Sequence, residues 1–119
     1  MDIRQKLQEG IELFNCGQFF ECHEALEEVW NELQGDERRW MQGIIQVAVG
    51  FYHLGNGNLT GAQSQLEKGL SNLAPYGDRF AGLDTSNLRR GVQSWLEKIR
   101  REEDLRCTVA DLPKLRFTP

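Results

Sequence analysis

At 119 residues, 39% of them hydrophobic and with three Trp and six Phe to fill a core, the chain has the size and composition of one globular domain that buries about two thirds of its unfolded surface. Its formal charge of -4, with no basic stripe beyond Arg89-Arg90 and Arg100-Arg101, argues against nucleic acid, which demands clustered positive charge. No apolar run reaches the ~18 residues of a membrane span and no charged-then-apolar leader opens the chain, so a soluble, cytoplasmic protein without a membrane partner is expected.

The first helix is expected from Asp2 to Asn15. Asp2 is its candidate cap, and Ile3, Leu7, Ile11 and Phe14 recur on one helical face. Gly17 ends it as a C-terminal glycine. The second helix is expected from Gln18 to Gln34, with Phe19, Cys22, Leu26, Val29 and Leu33 on its buried face. His23 and Trp30 fall on one shoulder of that stripe with Glu27 just beyond, while Glu21, Glu24, Glu28 and Glu32 form a solvated face.

Gly35 reads as a stop and Asp36 as the cap of a third helix, Glu37 to Leu54. That helix is apolar almost all round, so it belongs in the middle of the domain, with Val47, Ala48 and Phe51 inaccessible. Trp40 and Leu54 leave apolar surface that a homodimer would cover. Gly55-Asn-Gly-Asn is a turn, and a fourth helix follows from Leu59 to Leu73, in which Gly61 and Gly69 permit close approach of a neighbour. Ala74 to Asp84 reads as a loop. A fifth helix starts at Thr85 or Ser86 and carries Leu88, Val92, Trp95, Leu96 and Ile99 in line. Leu105 to Pro119 reads as an extended tail packed through Leu112, Leu115 and Phe117.

A repeat runs underneath this order. A shift of 40 residues lays Gly10 on Gly50, Gly17 on Gly57, Phe19 on Leu59, Leu26 on Leu66 and Glu27 on Glu67. The expected fold is therefore all-α: a compact bundle of about five helices spanning 1–119 as a single domain, built from two antiparallel hairpins plus a C-terminal helix and tail. The pattern Gly-x-Phe/Leu-x-x-Cys/Ala-x-x-x-Leu resembles the turn and second helix of a tetratricopeptide repeat, as geometry rather than as a sign of a peptide groove.

The chemistry concentrates between the second and third helices. Pairing them antiparallel across Gly35 sets His23 level with Gln46, Glu27 with Gln42 and Phe19 with His53, a polar cluster of His23, Glu27, Gln42, Gln46 and His53 roofed by Trp30. Three readings compete. The cluster fixes helix register as a satisfied buried network; or it lines a pocket for a small polar ligand or a protein partner; or His23 acts as general base or metal ligand beside Glu27 in a small hydrolase-like enzyme. His23-Glu24-Ala-Leu-Glu27 falls short of the metalloprotease motif H-E-x-x-H at its second histidine. A divalent metal would have His23, Glu27 and His53 as candidate ligands. On the first reading, His23→Ala strands a buried partner at a cost of ~1–3 kcal/mol. Cys16, Cys22 and Cys107 are odd in number and lack C-x-x-C spacing, the pattern of reduced cysteines in a cytosolic protein.

Phe14-Asn15-x-Gly17-x-Phe19-Phe20-x-x-His23-Glu24-x-x-Glu27-x-x-Trp30, then Gln42-Gly43-x-x-Gln46-x-Ala48 and Tyr52-His53-x-x-x-Gly57-Asn58-x-x-Gly61-Ala62, resembles the small bacterial and plastid-lineage family known as domain-of-unknown-function family 309. The resemblance covers about residues 1–75. It implies a compact all-helical bundle and a cytoplasmic location, adds weight to His23, Glu27, Trp30, Gln42, Gln46 and His53 as one shared cluster, and implies no activity.

Overall fold

The computed structural model describes residues 3–101 and 111–118. The capping role expected of Asp2, the thiol of Cys107 and the ends of the expected tail at Leu105 and Pro119 lie outside the described residues. Five helices carry the fold: α1 (Ile3–Asn15), α2 (Phe19–Glu32), α3 (Gly35–Gly55), α4 (Leu59–Leu73) and α5 (Ser86–Arg100). The all-α expectation holds.

The 40-residue repeat is built into the backbone. In the α1–α2 turn, Gly17 N–H donates to Phe14 O at 3.0 Å and Gln18 N–H to Leu13 O at 2.9 Å; in the α3–α4 turn, Gly57 N–H donates to Leu54 O at 3.1 Å and Asn58 N–H to His53 O at 2.9 Å. Both glycines hold φ near the left-handed region, +78° and +75°, which a Cβ would disfavour. The crossing points repeat as well. A Cβ on Gly10 would come within 2.5 Å of the Leu26 side chain, and one on Gly50 within 2.7 Å of the Leu66 side chain. Each hairpin therefore closes by seating a leucine of its second helix on a glycine of its first.

Because α3 packs against α2 on one side and α4 on the other, it buries ten residues, against five in α2 and four in α4. Val47, Ala48 and Phe51 are inaccessible, as expected. Phe14, Phe19 and Phe51 meet in a three-ring cluster, with centroids 5.2 Å apart for Phe14–Phe19 and 5.6 Å for Phe19–Phe51, so both hairpins share one core. Trp40 and Leu54, the surface on which a homodimer is expected, are covered within the chain. Both are buried, with Phe80 lying 5.6 Å from the Trp40 ring.

Several boundaries differ from expectation. The break between α2 and α3 comes early: Leu33 is already extended, Gln34 is the N-cap, and Gly35 opens α3 at φ +62°. Asp36 sits inside the first turn and accepts from Tyr76 Oη at 3.1 Å instead of capping. The stretch read as a loop holds a 3₁₀ turn (Ala74–Tyr76) and a hairpin, β1 (Arg79–Phe80) and β2 (Leu83–Asp84); β3 (Arg116–Phe117) adds antiparallel to β2. Asp84 Oδ1 accepts from Ser86 N at 2.9 Å and Ser86 Oγ at 2.7 Å. Those donors open α5 and hold the Asp84 carboxyl below its ordinary range. In the tail, Leu115 is buried and Leu112 packs at the core edge, but Phe117 is 50% exposed and does not anchor it.

Cys22 lies in the centre of α2's buried face, where burial pushes its thiol up from the ordinary 9.0 to about 12. The thiolate is the reactive form, so native alkylation at pH 8 is expected to modify exposed Cys16 and spare Cys22, read by peptide mass mapping. The sign of the linkage is fixed: the folded state holds the Cys22 proton after the unfolded chain has released it, so the thiol's share of stability declines from pH 9 toward 12. Cys22→Ala, which copies the residue at the repeat-equivalent Ala62, is expected to flatten that alkaline decline. Modification of native Cys22 at the Cys16 rate would contradict this packing.

Candidate functional site: the α2–α3 face

The buried stripe of α2 leaves Phe20, His23, Glu27 and Trp30 along its flank, at helical spacings of three, four and three. The facing line of α3 carries Arg38, Gln42, Ile45, Val49 and Tyr52, again three or four apart. Contacts pin the two lines together at both ends. Phe20 packs on Tyr52 with ring centroids 5.8 Å apart, and the Arg38 guanidinium lies 3.7 Å over the Trp30 ring. His23 and Glu27 lie between these ends, with His23 Nε2 donating to Glu27 Oε1 at 2.9 Å.

The pair is at the surface: the His23 side chain is 30% exposed and that of Glu27 54%. His23 thus bonds a carboxylate of the expected cluster, but at the surface and not in a buried network. The other expected members have separate partners. Gln46 Oε1 accepts from Asn72 Nδ2 of α4 at 2.7 Å, and Asn72 Oδ1 accepts from Arg39 at 3.3 Å. His53 pairs with the Asn58 side chain at 3.4 Å in the α3–α4 turn, and Asn58 Oδ1 caps α4 at Gly61 N, 3.0 Å away. Gln42 is half-buried on the α3 line. Trp30 is itself roofed, by Arg38. Trp30 Nε1 and Arg38 Nε are shielded from solvent with no acceptor, so cation–π attraction and packing hold that stack.

Helix rotation explains the division. Levelling two antiparallel helices fixes height along the axis, not direction around it; Gln46 stands about 40° further round α3 than Gln42 and reaches α4. His53, Glu27 and His23 consequently do not converge. Among the described residues no three of His, Cys, Asp or Glu are grouped to hold one metal ion.

Exposure also revises the expected cost of losing His23. Glu27 remains hydrated when its partner is removed, so His23→Ala is expected to cost about 0.5 kcal/mol, the scale of a surface i, i+4 pair, rather than the 1–3 kcal/mol of a stranded buried group. Chemical denaturation of the variant checks this, and a loss above about 2 kcal/mol would restore the network reading.

Further round α2, Glu21, Glu24 and Glu28 line an open groove of about 520 Å³ with Glu9 of α1, and Glu27 borders both this groove and the α2–α3 face. Lys6 bridges Glu28 at 2.9 Å and Glu9 at 3.2 Å, and its hydrogen bond to Glu28 raises its ammonium above the ordinary value. Glu21, Glu24, Glu28 and Glu32 are exposed, as read from the sequence.

Sequence reasoning did not single out Phe20, Tyr52 or Arg38. The available signal was register: Phe20 falls outside the stripe of Phe19, Cys22, Leu26 and Val29, and an aromatic off the stripe belongs to another surface. Phe20 and Tyr52 are 49% and 40% exposed.

The profile of a family described as Domain of unknown function (DUF309) matches residues 7–65, a span that contains the whole α2–α3 face. An uncharacterized protein of Aquifex aeolicus (strain VF5) is 25% identical over 112 residues, covering 93% of this chain and 31% of that protein. The uncharacterized protein YpuF of Bacillus subtilis (strain 168) is 35% identical over 92 residues, 75% of this chain and 53% of YpuF. The chain thus spans about a third and about half of the lengths of these two relatives. Among the described residues, no helix is long and apolar enough to cross a membrane.

Proposed function

We propose that this chain, which belongs to the DUF309 family, is a binding module that takes a protein partner on its α2–α3 face. One observation carries the reading: Phe20 and Tyr52 expose 49% and 40% of their surface while stacked on each other, beside the polar His23–Glu27 pair and the Arg38–Trp30 stack. Aromatic residues and arginine are the side chains that concentrate binding energy at interfaces, and a rigid pair already held by the fold loses little entropy on docking. His23 and Glu27 supply a donor–acceptor couple in the middle of the face, suited to orienting a partner's polar groups. Rings as exposed as Phe20 and Tyr52 favour a protein surface over a small ligand, which needs a concave site around most of its area.

Stability and binding separate here. The Phe20–Tyr52 contact contributes about 0.5–1.5 kcal/mol to folding, whereas truncating an interface anchor costs ~2 kcal/mol or more, roughly 30-fold in affinity. Immobilised wild-type protein and a Phe20→Ala/Tyr52→Ala variant, both verified as folded by melting, are used to capture proteins from extract of the source cells. A protein held by the wild type, lost by the double variant and weakened by Arg38→Ala is expected. Equal retention by the wild type and the double variant would sink the proposal.

A further inference from the structure

At one end of the α2–α3 face the fold orders a guanidinium that it does not pair. Arg79, Arg89 and Arg100 reach Asp84, Asp78 and Glu67 at 3.9, 3.2 and 3.3 Å, and Arg39 donates to Asn72 Oδ1 at 3.3 Å. Arg90, Arg101 and Arg116 stand exposed. Arg38 is of neither kind. It is half-buried, its guanidinium lies 3.7 Å over the Trp30 ring, and among the described residues it has no ion-pair or hydrogen-bond partner. Two nearby acids in sequence are engaged elsewhere: Glu27, one turn before Trp30 on α2, bonds His23, and Asp36 accepts from Tyr76.

Such a guanidinium has a definite preference. Stacking on an aromatic ring holds it in place before any partner arrives, so little freedom is lost on pairing. Its Nε is shielded from solvent, which leaves the Nη pair as its donors, and a planar fork of that kind matches a carboxylate. The other end of the face has the opposite chemistry: Phe20 and Tyr52 lie stacked and exposed, with half-buried Val49 one turn before Tyr52. Phe20 and Trp30 are ten residues apart on α2, and Arg38 and Tyr52 fourteen on α3, or roughly 15–21 Å along the helix axes. A third helix laid along the seam between two helices covers that distance in about 10–14 residues, and its residues i and i+11 fall on one face.

We propose, on the premise that the α2–α3 face is the docking face, that its partner presents an amphipathic helix. That helix seats apolar side chains on Phe20 and Tyr52 and, about three turns away, sets an Asp or Glu carboxylate on Arg38. Charge complementarity selects the carboxylate, the ring pair selects the apolar end, and the seam between α2 and α3 suits a helix lying along it. Glu21, Glu24 and Glu28 do not oppose the acidic end, because they line the groove against α1, further round α2.

The probes are fluorescent, alanine-based helical peptides of about 20 residues, added to the full chain and followed by anisotropy. Each carries leucine at i and i+4 and glutamate at i+11, all on one face, and is made in both chain orders. In at least one order the peptide is expected to bind the wild type. Binding is expected to weaken on the order of tenfold when its glutamate is replaced by glutamine or moved to i+9 on the opposite face. Arg38→Lys, verified as folded by circular dichroism, is expected to lose a similar factor, because a point charge lacks the fork. Phe20→Ala/Tyr52→Ala is expected to remove binding of every probe. Tighter binding of a lysine peptide than of the glutamate peptide overturns the inference, since it marks a basic partner drawn to the α2 glutamates. So do equal binding of the i+9 and i+11 peptides, binding untouched by Arg38→Lys or by Phe20→Ala/Tyr52→Ala, and no binding of any probe. The docking face is judged separately, by the protein captured from cell extract: if that protein is lost with Phe20→Ala/Tyr52→Ala while the probes fail, the face docks something other than an acidic helix.

Discussion

Truncating Leu66 to alanine is expected to destabilise the protein by about 3–5 kcal/mol, a large share of the roughly 5–15 kcal/mol that holds a domain of this size. Leu66 is inaccessible, and its side chain fills the space left by Gly50 at the α3–α4 crossing. Cavity and transfer costs therefore add, because the glycine opposite has no side chain to move into the gap. Leu26→Ala, at the equivalent crossing over Gly10, is expected to fall in the same range, since the two hairpins repeat the contact. The seat itself is testable by a double-mutant cycle. Gly50→Ala alone forces the Leu66 side chain aside, but in the Leu66→Ala background the clashing atoms are gone, leaving Leu66 N at 3.2 Å as the remaining tight neighbour. Favourable coupling of about 1 kcal/mol is expected. Additive losses would mean that the glycine and leucine do not share one space.

Gly69→Val is the second large effect, expected to cost about 3 kcal/mol. A Cβ on Gly69 would lie 2.9 Å from Gly43 O, 3.2 Å from Val47 N and 2.7 Å from Val47 Cγ2. Two of those neighbours are backbone, so α4 must move away from α3 along the most extensive helix contact in the fold. Gly69→Ala meets the same atoms but recovers about 1 kcal/mol of helix propensity, so a smaller loss, about 1–2 kcal/mol, is expected after the overpacking cost. Thermal melts of the two variants give the ranking. An alanine variant as stable as the wild type would show that the helices have room to separate, and that the small residues on α4 do not set the distance.

The legible part of the fold was the part written in local period. The stripes of α1, α2 and α5 run at helical spacing, α4 matches its expected bounds of Leu59 and Leu73, and the 40-residue shift carried real geometry in Gly17 and Gly57, Leu26 and Leu66. α3 could be placed centrally because it is apolar almost all round.

What was not legible depended on rotation or on distance along the chain. His23 and Gln46 come level from sequence alone, but which way Gln46 points depends on how α3 shares itself between α2 and α4, and Asn72 supplied the answer. Strands of two residues, such as Arg79–Phe80 and Leu83–Asp84, are too short to show alternation. The hydrogen bond from the Asn15 side chain to Leu115 O spans 100 residues of sequence and leaves no mark near either. Trp40 looked like surface for a dimer because the residue that covers it, Phe80, stands in a stretch read as loop.

The central claim is that the α2–α3 face docks a protein, and hydrogen–deuterium exchange of the full chain with and without the captured partner tests it most directly. Protection is expected in residues 19–30 and 42–53, strongest around Phe20, His23 and Tyr52, with α5 and residues 111–118 unchanged. Protection confined to α4 and α5, or to residues 111–118, with residues 19–30 exchanging as in the free chain, would contradict it.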